Sequence, residues 1–325
     1  MSSPYLIANE LIRILLYFDV FSYPLTRREL ISYIGTKPRD RLQVSNILDD
    51  LEKSGVIGHF AGLFFIGKDR LKVNRRIKGN SMAATRLKTA RKYSRIISYF
   101  PFVRGIFISG SLSKGFASEK DDIDYFIITR PGRLWITRTF LILFKKIFLF
   151  NSYRNFCINF LVDEDHLFIK EHNRYTATEI VFLVPVFNKA MYEKLLIKNS
   201  WVKKYYPDFR QKHDFCLENN PVSKKWMEKI LSYSLGDYLE LQFFRRSRSY
   251  IRKKYSYMDE DCFARSFSLL GYELRFFPGG QQQRILKMYR EKVEEFKLSE
   301  TGPSVYKKMP GKSDYISNKT AESKV

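Results

Sequence analysis

Cysteine is scarce in this chain. Cys157, Cys216 and Cys262 are the three present in 325 residues, and they lie far apart. None belongs to a Cys-x-x-Cys pair, and His59, His166, His172 and His213 show no metal-ligand spacing. The pattern excludes a disulfide framework and a zinc site, and reduced thiols in a cytoplasmic setting are the simplest expectation. Negative charge is also in short supply. Asp and Glu number 34 against 57 Lys and Arg, giving a net charge of +23 and a pI near 9.8. Such an imbalance favours a polyanionic partner: nucleic acid through a basic surface, a nucleotide, or an anionic surface. Long unbroken apolar runs are missing as well. Leu134 to Phe150 is the most apolar window, but Arg138, Lys145 and Lys146 interrupt it, so it reads as a buried amphipathic helix and no membrane partner is expected. Leu11 to Leu16 is too short for a signal peptide and already contains Arg13.

What the chain does have is apolar mass. Hydrophobic residues make up 45% and aromatics 16%, which excludes general disorder and supports two or three domains. Near the start, Leu11, Ile12, Leu15 and Phe18 follow helical spacing. Thr26-Arg27-Arg28-Glu29 is a capping box opening a second helix with Leu30, Ile31 and Ile34, which should stop at Gly35. A third helix is predicted from Arg41 to Ser54, with Val44, Ile47, Leu48 and Leu51 on its inner face and Gly55 as its cap. Two apolar runs around Ala61-Gly62 then signal a hairpin. Three short helices and a hairpin resemble a winged helix-turn-helix domain over residues 1–68. Arg41, Gln43, Ser45 and Asn46 would face DNA, while Asp49, Asp50 and Glu52 on the same helix oppose it.

Residues 69–100 read as a basic helical connector with a break at Gly79-Asn80-Ser81. The stretch around which the chain is organised follows, Gly105 to Arg130. A buried strand, Gly105-Ile106-Phe107-Ile108, leads into Ser109-Gly110-Ser111. A second strand begins at Asp122-Ile123-Asp124, so both carboxylates share one side while Ile123 points inward. Paired carboxylates repel, and a hard cation such as Mg²⁺ relieves that repulsion. Small residues at Gly110 and Ser111 leave backbone N–H groups and a hydroxyl for phosphate oxygens. Gly110-Ser111, ten residues, then Asp122-x-Asp124 resembles the G-S-x(10)-D-x-D signature of the DNA polymerase β-like nucleotidyltransferase superfamily. Gly115 stands where many small members carry glycine.

The resemblance implies an α+β fold: a small mixed-sheet catalytic domain over 101–175, here with the N-terminal winged helix domain and a helical region over 176–297. It implies that Asp122 and Asp124 bind Mg²⁺ and that Gly110 and Ser111 hold a nucleoside triphosphate, whose nucleoside monophosphate passes to an unidentified acceptor. The alternative is a non-catalytic nucleotide-sensing or nucleic-acid-binding regulator. The superfamily's third acid belongs on the next strand, Phe156 to Val162, where Asn159 occupies the inward position. Asp163, Glu164 and Asp165 are substitutes if the strand end curls in, or else a solvated turn. Glu179 is another candidate, although Thr176-Ala177-Thr178-Glu179 is itself a capping box. Further on, Pro185 should break a helix, and Phe187 to Lys198 and Val222 to Tyr255 should be helical. Trp201, Tyr205, Tyr206 and Phe209 are expected in a cap over the site. Arg245, Arg246, Arg248, Arg252, Lys253 and Lys254, with Tyr250 among them, form either a polyanion-binding run or a solvated helix face. A last helix is predicted from Gln281 to Phe296, followed by a disordered tail over 298–325.

Overall fold

The computed structural model describes residues 4–34, 41–207, 209, 216–218, 222–277 and 279–296. The helix stop expected at Gly35 and the tail 298–325 lie outside them. The fold is α+β. The chain divides into two compact units: Met1–Lys78 with Lys203–Phe209 and Gln282–Val325, and Gly79–Val202 with Arg210–Gln281.

The first unit begins with α1 (Pro4–Asp19), β1 (Leu25–Thr26), α2 (Arg27–Ile34), α3 (Arg41–Lys53), β2 (Ile57–Phe60) and β3 (Leu63–Ile66). Leu11, Ile12 and Leu15 of α1 and Val44, Ile47, Leu48 and Leu51 of α3 are all buried, as their spacing predicts. The capping box forms in both directions. The Glu29 carboxylate accepts from the Thr26 N–H (2.8 Å), and Thr26 Oγ1 accepts from the Glu29 N–H (3.2 Å). Ala61 and Gly62 both take positive φ, which a tight two-residue hairpin turn requires. The sheet is antiparallel in the order β1-β3-β2.

One helix, α4 (Leu71–Ser98), follows, and it runs unbroken through Gly79-Asn80-Ser81. The expected break is therefore corrected. A single glycine costs a long helix only about 1 kcal/mol, and here it makes room. A Cβ on Gly79 would stand 2.2 Å from the Phe116 ring, and the Gly79 carbonyl accepts from the Ala117 N–H (3.1 Å). Gly79→Ala should therefore destabilise by roughly 1–3 kcal/mol through overpacking, despite its better helix propensity. A lowered urea midpoint checks this, and Phe116→Ala in the same background should recover part of the loss.

The second unit is built on a six-stranded mixed sheet, with β4 (Val103–Ile108), β5 (Asp124–Thr129), β6 (Cys157–Asp163), β7 (Val184–Phe187), β8 (Phe267–Leu269) and β9 (Glu273–Phe276) in the order β7-β4-β5-β6-β9-β8. Among these pairs only β5 and β6 run parallel, and the crossover between them carries α6 (Leu134–Phe148). Alternation along the central strands divides the core. Ile106, Ile108, Tyr125, Ile127 and Leu161 join Ala90 and Ile97 of α4 and Trp135 and Leu141 of α6. Phe107, Phe126, Ile128 and Val162 form a second cluster with Tyr192 and Leu195 of the C-terminal region.

The small α5 (Gly110–Ser113) lies between β4 and β5. Beyond β6 come α7 (Arg174–Val181), α8 (Lys189–Lys198), α9 (Val222–Ile230), α10 (Ser234–Lys254) and α11 (Glu260–Ser266). The C-terminal region is helical as expected, but it also supplies β7, β8 and β9. Pro185 does not break a helix. It sits in β7 at the sheet edge, where a missing N–H is tolerated. Residues 222–255 form two helices, not one. Arg133 takes the carbonyls of Leu231 (3.0 Å) and Ser232 (3.0 Å) at the break.

The last helix, α12 (Gln281–Glu295), belongs to the first unit, where Lys292 meets Asp19 (2.7 Å) and Tyr289 packs edge-on against Tyr17. Tyr206 and Phe209 pack on Tyr33 in that same unit. Trp201 stacks on His172 in the second unit. These aromatics therefore do not gather into one cap, which corrects that expectation.

Candidate active site

The Gly110-Ser111 loop and the Asp122–Asp124 pair meet because β4 and β5 are antiparallel neighbours. The Ser109 N–H donates to the Asp124 carbonyl (2.9 Å). Gly110 has φ +66°, and a Cβ built there would stand 2.5 Å from Asp124 Oδ2. Glycine is needed twice over, for a left-handed backbone and for close approach to the carboxylate. Ser111 Oγ donates to Asp121 Oδ2 (3.3 Å), which also accepts from the Ser118 N–H (2.8 Å). Asp121 thus ties the intervening loop to α5, a role the sequence did not suggest. Arg86 of α4 clamps the loops ahead of both parallel strands. It donates to the Asp121 carbonyl (2.6 Å), the Arg154 carbonyl (2.9 Å) and Asn155 Oδ1 (2.9 Å).

Asp122 is exposed and precedes the strand, and Asp124 is its first residue, largely buried. Burial, first of all, pushes the Asp124 carboxyl up to about 6. A hydrogen bond with the Cys157 thiol opposes the rise, Asp122 and Glu179 add to it, and Lys114 works against it. Asn159 occupies the expected inward position on β6, and its Nδ2 donates to Asp124 Oδ1 (2.6 Å).

The acidic group after β6 is not part of this site. Asp163 lies level with Thr129, at the opposite end of β5 from Asp124. It is buried and accepts from the N–H groups of Asp165 (3.1 Å) and His166 (3.1 Å), while His166 Nδ1 lies 2.6 Å from its carboxylate. It holds a turn together: the strand end does not curl in, Glu164 and the exposed Asp165 form the expected turn, and Asp163 alone of the three is buried.

Glu179 behaves differently. The expected capping box at Thr176 does not form, because Asn173 is the cap and accepts from the Thr176 N–H (2.9 Å). Glu179 is then the sixth residue of α7, and its carboxylate meets Lys114 Nζ (2.9 Å), which also donates to the Gly110 carbonyl (3.0 Å). Asn173 caps as well as Thr176 would, and that choice was the available signal. Lys145 of α6 is a second cation the sequence reading missed. It is buried, its Nζ lies 3.4 Å from the Tyr153 ring centre, and burial lowers its pKa, while Cys157 and Asp122 oppose that shift. Burial pushes the Cys157 thiol up to about 12, reinforced by Asp124 and Asp122.

Three carboxylates, Asp122, Asp124 and Glu179, thus share one field with Lys114 and Lys145. Among the described residues, no three His, Cys, Asp or Glu side chains form a ready metal cage. Mg²⁺ does not require one, since it commonly takes one or two carboxylates, waters and substrate phosphates. The carboxylates of half-buried Asp124 and exposed Asp122 are hard oxygen donors that fit such a cation, and bound metal would displace the proton that burial favours on Asp124. Comparison with family models, with curated proteins and with solved structures gave no match. Among the described residues, no helix is long and apolar enough to cross a membrane.

Proposed function

We propose that the second unit is a Mg²⁺-dependent nucleotidyltransferase. The observation that carries this reading is the approach of Gly110 to Asp124, with no room for a Cβ between the glycine-serine loop and the carboxylate. Asp122 and Asp124 would hold Mg²⁺, which supplies charge neutralisation at the phosphates and a lowered pKa for the acceptor hydroxyl. Gly110 and Ser111 would hold the triphosphate. Lys114 stands between the Gly110 carbonyl and Glu179, and its transfer to a phosphate oxygen would leave Glu179 free. Glu179 then takes the acceptor's proton as the new oxygen–phosphorus bond forms and pyrophosphate leaves. Asn159 holds Asp124 in orientation from β6.

Incubation with α-labelled nucleoside triphosphates and cell extract, read by pyrophosphate release and by mass spectrometry of the labelled acceptor, tests the proposal. Glu179→Gln should lower turnover by about a hundredfold with nucleotide affinity retained. Lys114→Ala should instead raise the nucleotide KM. If neither substitution changes the kinetics, Glu179 is not the base. Nucleotide binding without pyrophosphate release would favour a sensor in place of an enzyme.

The three helices and hairpin of the first unit support a winged-helix-like module. Specific DNA reading is disfavoured, because the acidic side of α3 is built into the module: Asp49 pairs with Arg27 (2.6 Å) and Glu52 with His59 (3.1 Å).

A further inference from the structure

The amphipathic helix expected at Leu134 to Phe150 forms, with its buried face concentrated in its N-terminal half. Leu134, Trp135, Ile136 and Leu141 are core residues. Past them, Leu143, Ile147 and Phe148 on α6 and Tyr153 beyond it are each half exposed or more, and Phe150 is 93% exposed. Phe150 and Asn151 both take positive φ, an unfavourable backbone for a bulky side chain, and that turn holds the Phe150 ring out in water. Contiguous exposed apolar side chains of this kind mark an interaction surface.

The surroundings of the patch are largely cationic, although the exposed Asp259, Glu260 and Asp261 follow shortly after α10. No acidic residue occurs between Asp124 and Asp163, or between Glu240 and Asp259. These two stretches contain α6 and the C-terminal half of α10. The helices are packed side by side and run parallel. The Trp135 and Ile136 N–H groups donate to Glu240 (2.8 and 2.9 Å), and further along Arg138 donates to Ser247 (3.1 Å). Their C-terminal ends therefore lie at the same end of the pair. There the exposed Lys146 and Arg154 accompany the exposed Lys253 and Lys254, with Arg252 paired to Glu260, while the exposed Arg245, Arg246 and Arg248 lie further back along α10, near the level of Arg138. Tyr250 near the end of α10 and Tyr257 just beyond it are exposed as well.

We propose that this end of the α6–α10 pair docks on an anionic membrane surface. Leu143, Ile147, Phe148 and Phe150 enter the acyl boundary, the tyrosines sit at headgroup level, and the lysines and arginines meet lipid phosphates and carboxylates. Single-stranded nucleic acid would also be drawn by the charge. It stacks on aromatic faces, however, and Leu143 and Ile147 offer none. No membrane span is involved, and the docking does not depend on nucleotidyl transfer.

Flotation of the full chain with phosphatidylcholine vesicles, with and without phosphatidylserine, tests this. Binding should require phosphatidylserine and weaken as salt rises. Phe148→Ser with Phe150→Ser should weaken it by roughly tenfold or more, given the apolar area withdrawn from water. Phe150 is almost wholly exposed and Phe148 loses only its contact with the Phe144 ring, so the melting curve should move little, and Phe150→Ser alone should leave it unmoved. As a second readout, Phe150→Trp should show an emission blue shift with anionic vesicles that the parent chain lacks. Absence of phosphatidylserine-dependent binding, or unchanged binding by the double variant, overturns the proposal. A single-stranded oligonucleotide bound by the parent but not by the double variant, without vesicle binding, overturns it in favour of nucleic acid.

Discussion

Replacing Asp124 with asparagine should remove activity and strengthen the fold at once. Loss of one carboxylate ligand should lower Mg²⁺-dependent transfer by about a thousandfold or more, since charge stabilisation by the metal is worth several kcal/mol. The stability gain has the same origin. Burial holds the Asp124 carboxyl at about 6 in the folded chain, against 3.8 ordinarily. A raised pKa means that the native state grips the proton more tightly than the unfolded one. Its contribution is fully present below about pH 4 and is lost as pH rises through about 6. Above that pH, ionised Asp124 in metal-free protein costs about 3 kcal/mol. The asparagine variant carries no such cost and keeps an oxygen for the Asn159 amide. Urea denaturation in chelator should show little difference between the two proteins at pH 4, with the variant pulling ahead through pH 6. Equal stability at pH 8, or retained activity, would contradict the assignment of Asp124.

Gly110→Ala should be nearly as damaging to transfer, and it should also weaken the fold. Alanine at φ +66° strains the backbone, and its methyl group would displace the Asp124 carboxylate from its present position. The combined cost should be roughly 1–3 kcal/mol, with metal-dependent turnover lost. Gly132→Ala is the control, because its φ is +64° with nothing within 4 Å of the added Cβ. It should show the backbone cost alone, about 1 kcal/mol, and full activity. In an Asp124→Ala background, Gly110→Ala should likewise fall to the backbone cost, which isolates the contact in a double-mutant cycle. If the two glycine variants behave alike, the steric link between loop and carboxylate is wrong.

Local signals in the sequence were dependable where they stood alone. The capping box at Thr26, the turn at Ala61-Gly62, the inner face of α3 and the loop–strand spacing of the candidate site all rest on neighbours within a few residues. Competing local signals were not separable. Asn173 and Thr176 are both good caps, and choosing the second gave the candidate Glu179 a competing structural role. Glycine at 79 and proline at 185 read as breakers because propensity does not show what packs beside them. Lys145, Arg86 and Asp121 had no signal at all. Each acquires its place from partners on other elements, which periodicity along one segment does not reveal. The short strands β7, β8 and β9 are held by pairing with β4, β6 and each other, so their own sequences barely announce them.

The return of α12 to the first unit has a consequence for biogenesis. The carboxylate of Asp19, only 5% exposed, is neutralised by Lys72 and by Lys292, which lies 273 residues further on. On the ribosome, Asp19 and the ring of Tyr17 must wait until α12 has been synthesised. The early helices are therefore exposed to chaperones and proteases while the second unit is being made. Loop closure over that length slows the final docking step more than it weakens the finished protein. A nascent chain arrested before Gln281 would leave Asp19 with one counter-charge in place of two. The segment around Asp19 would thus be among the last parts of the first unit to become protease-resistant.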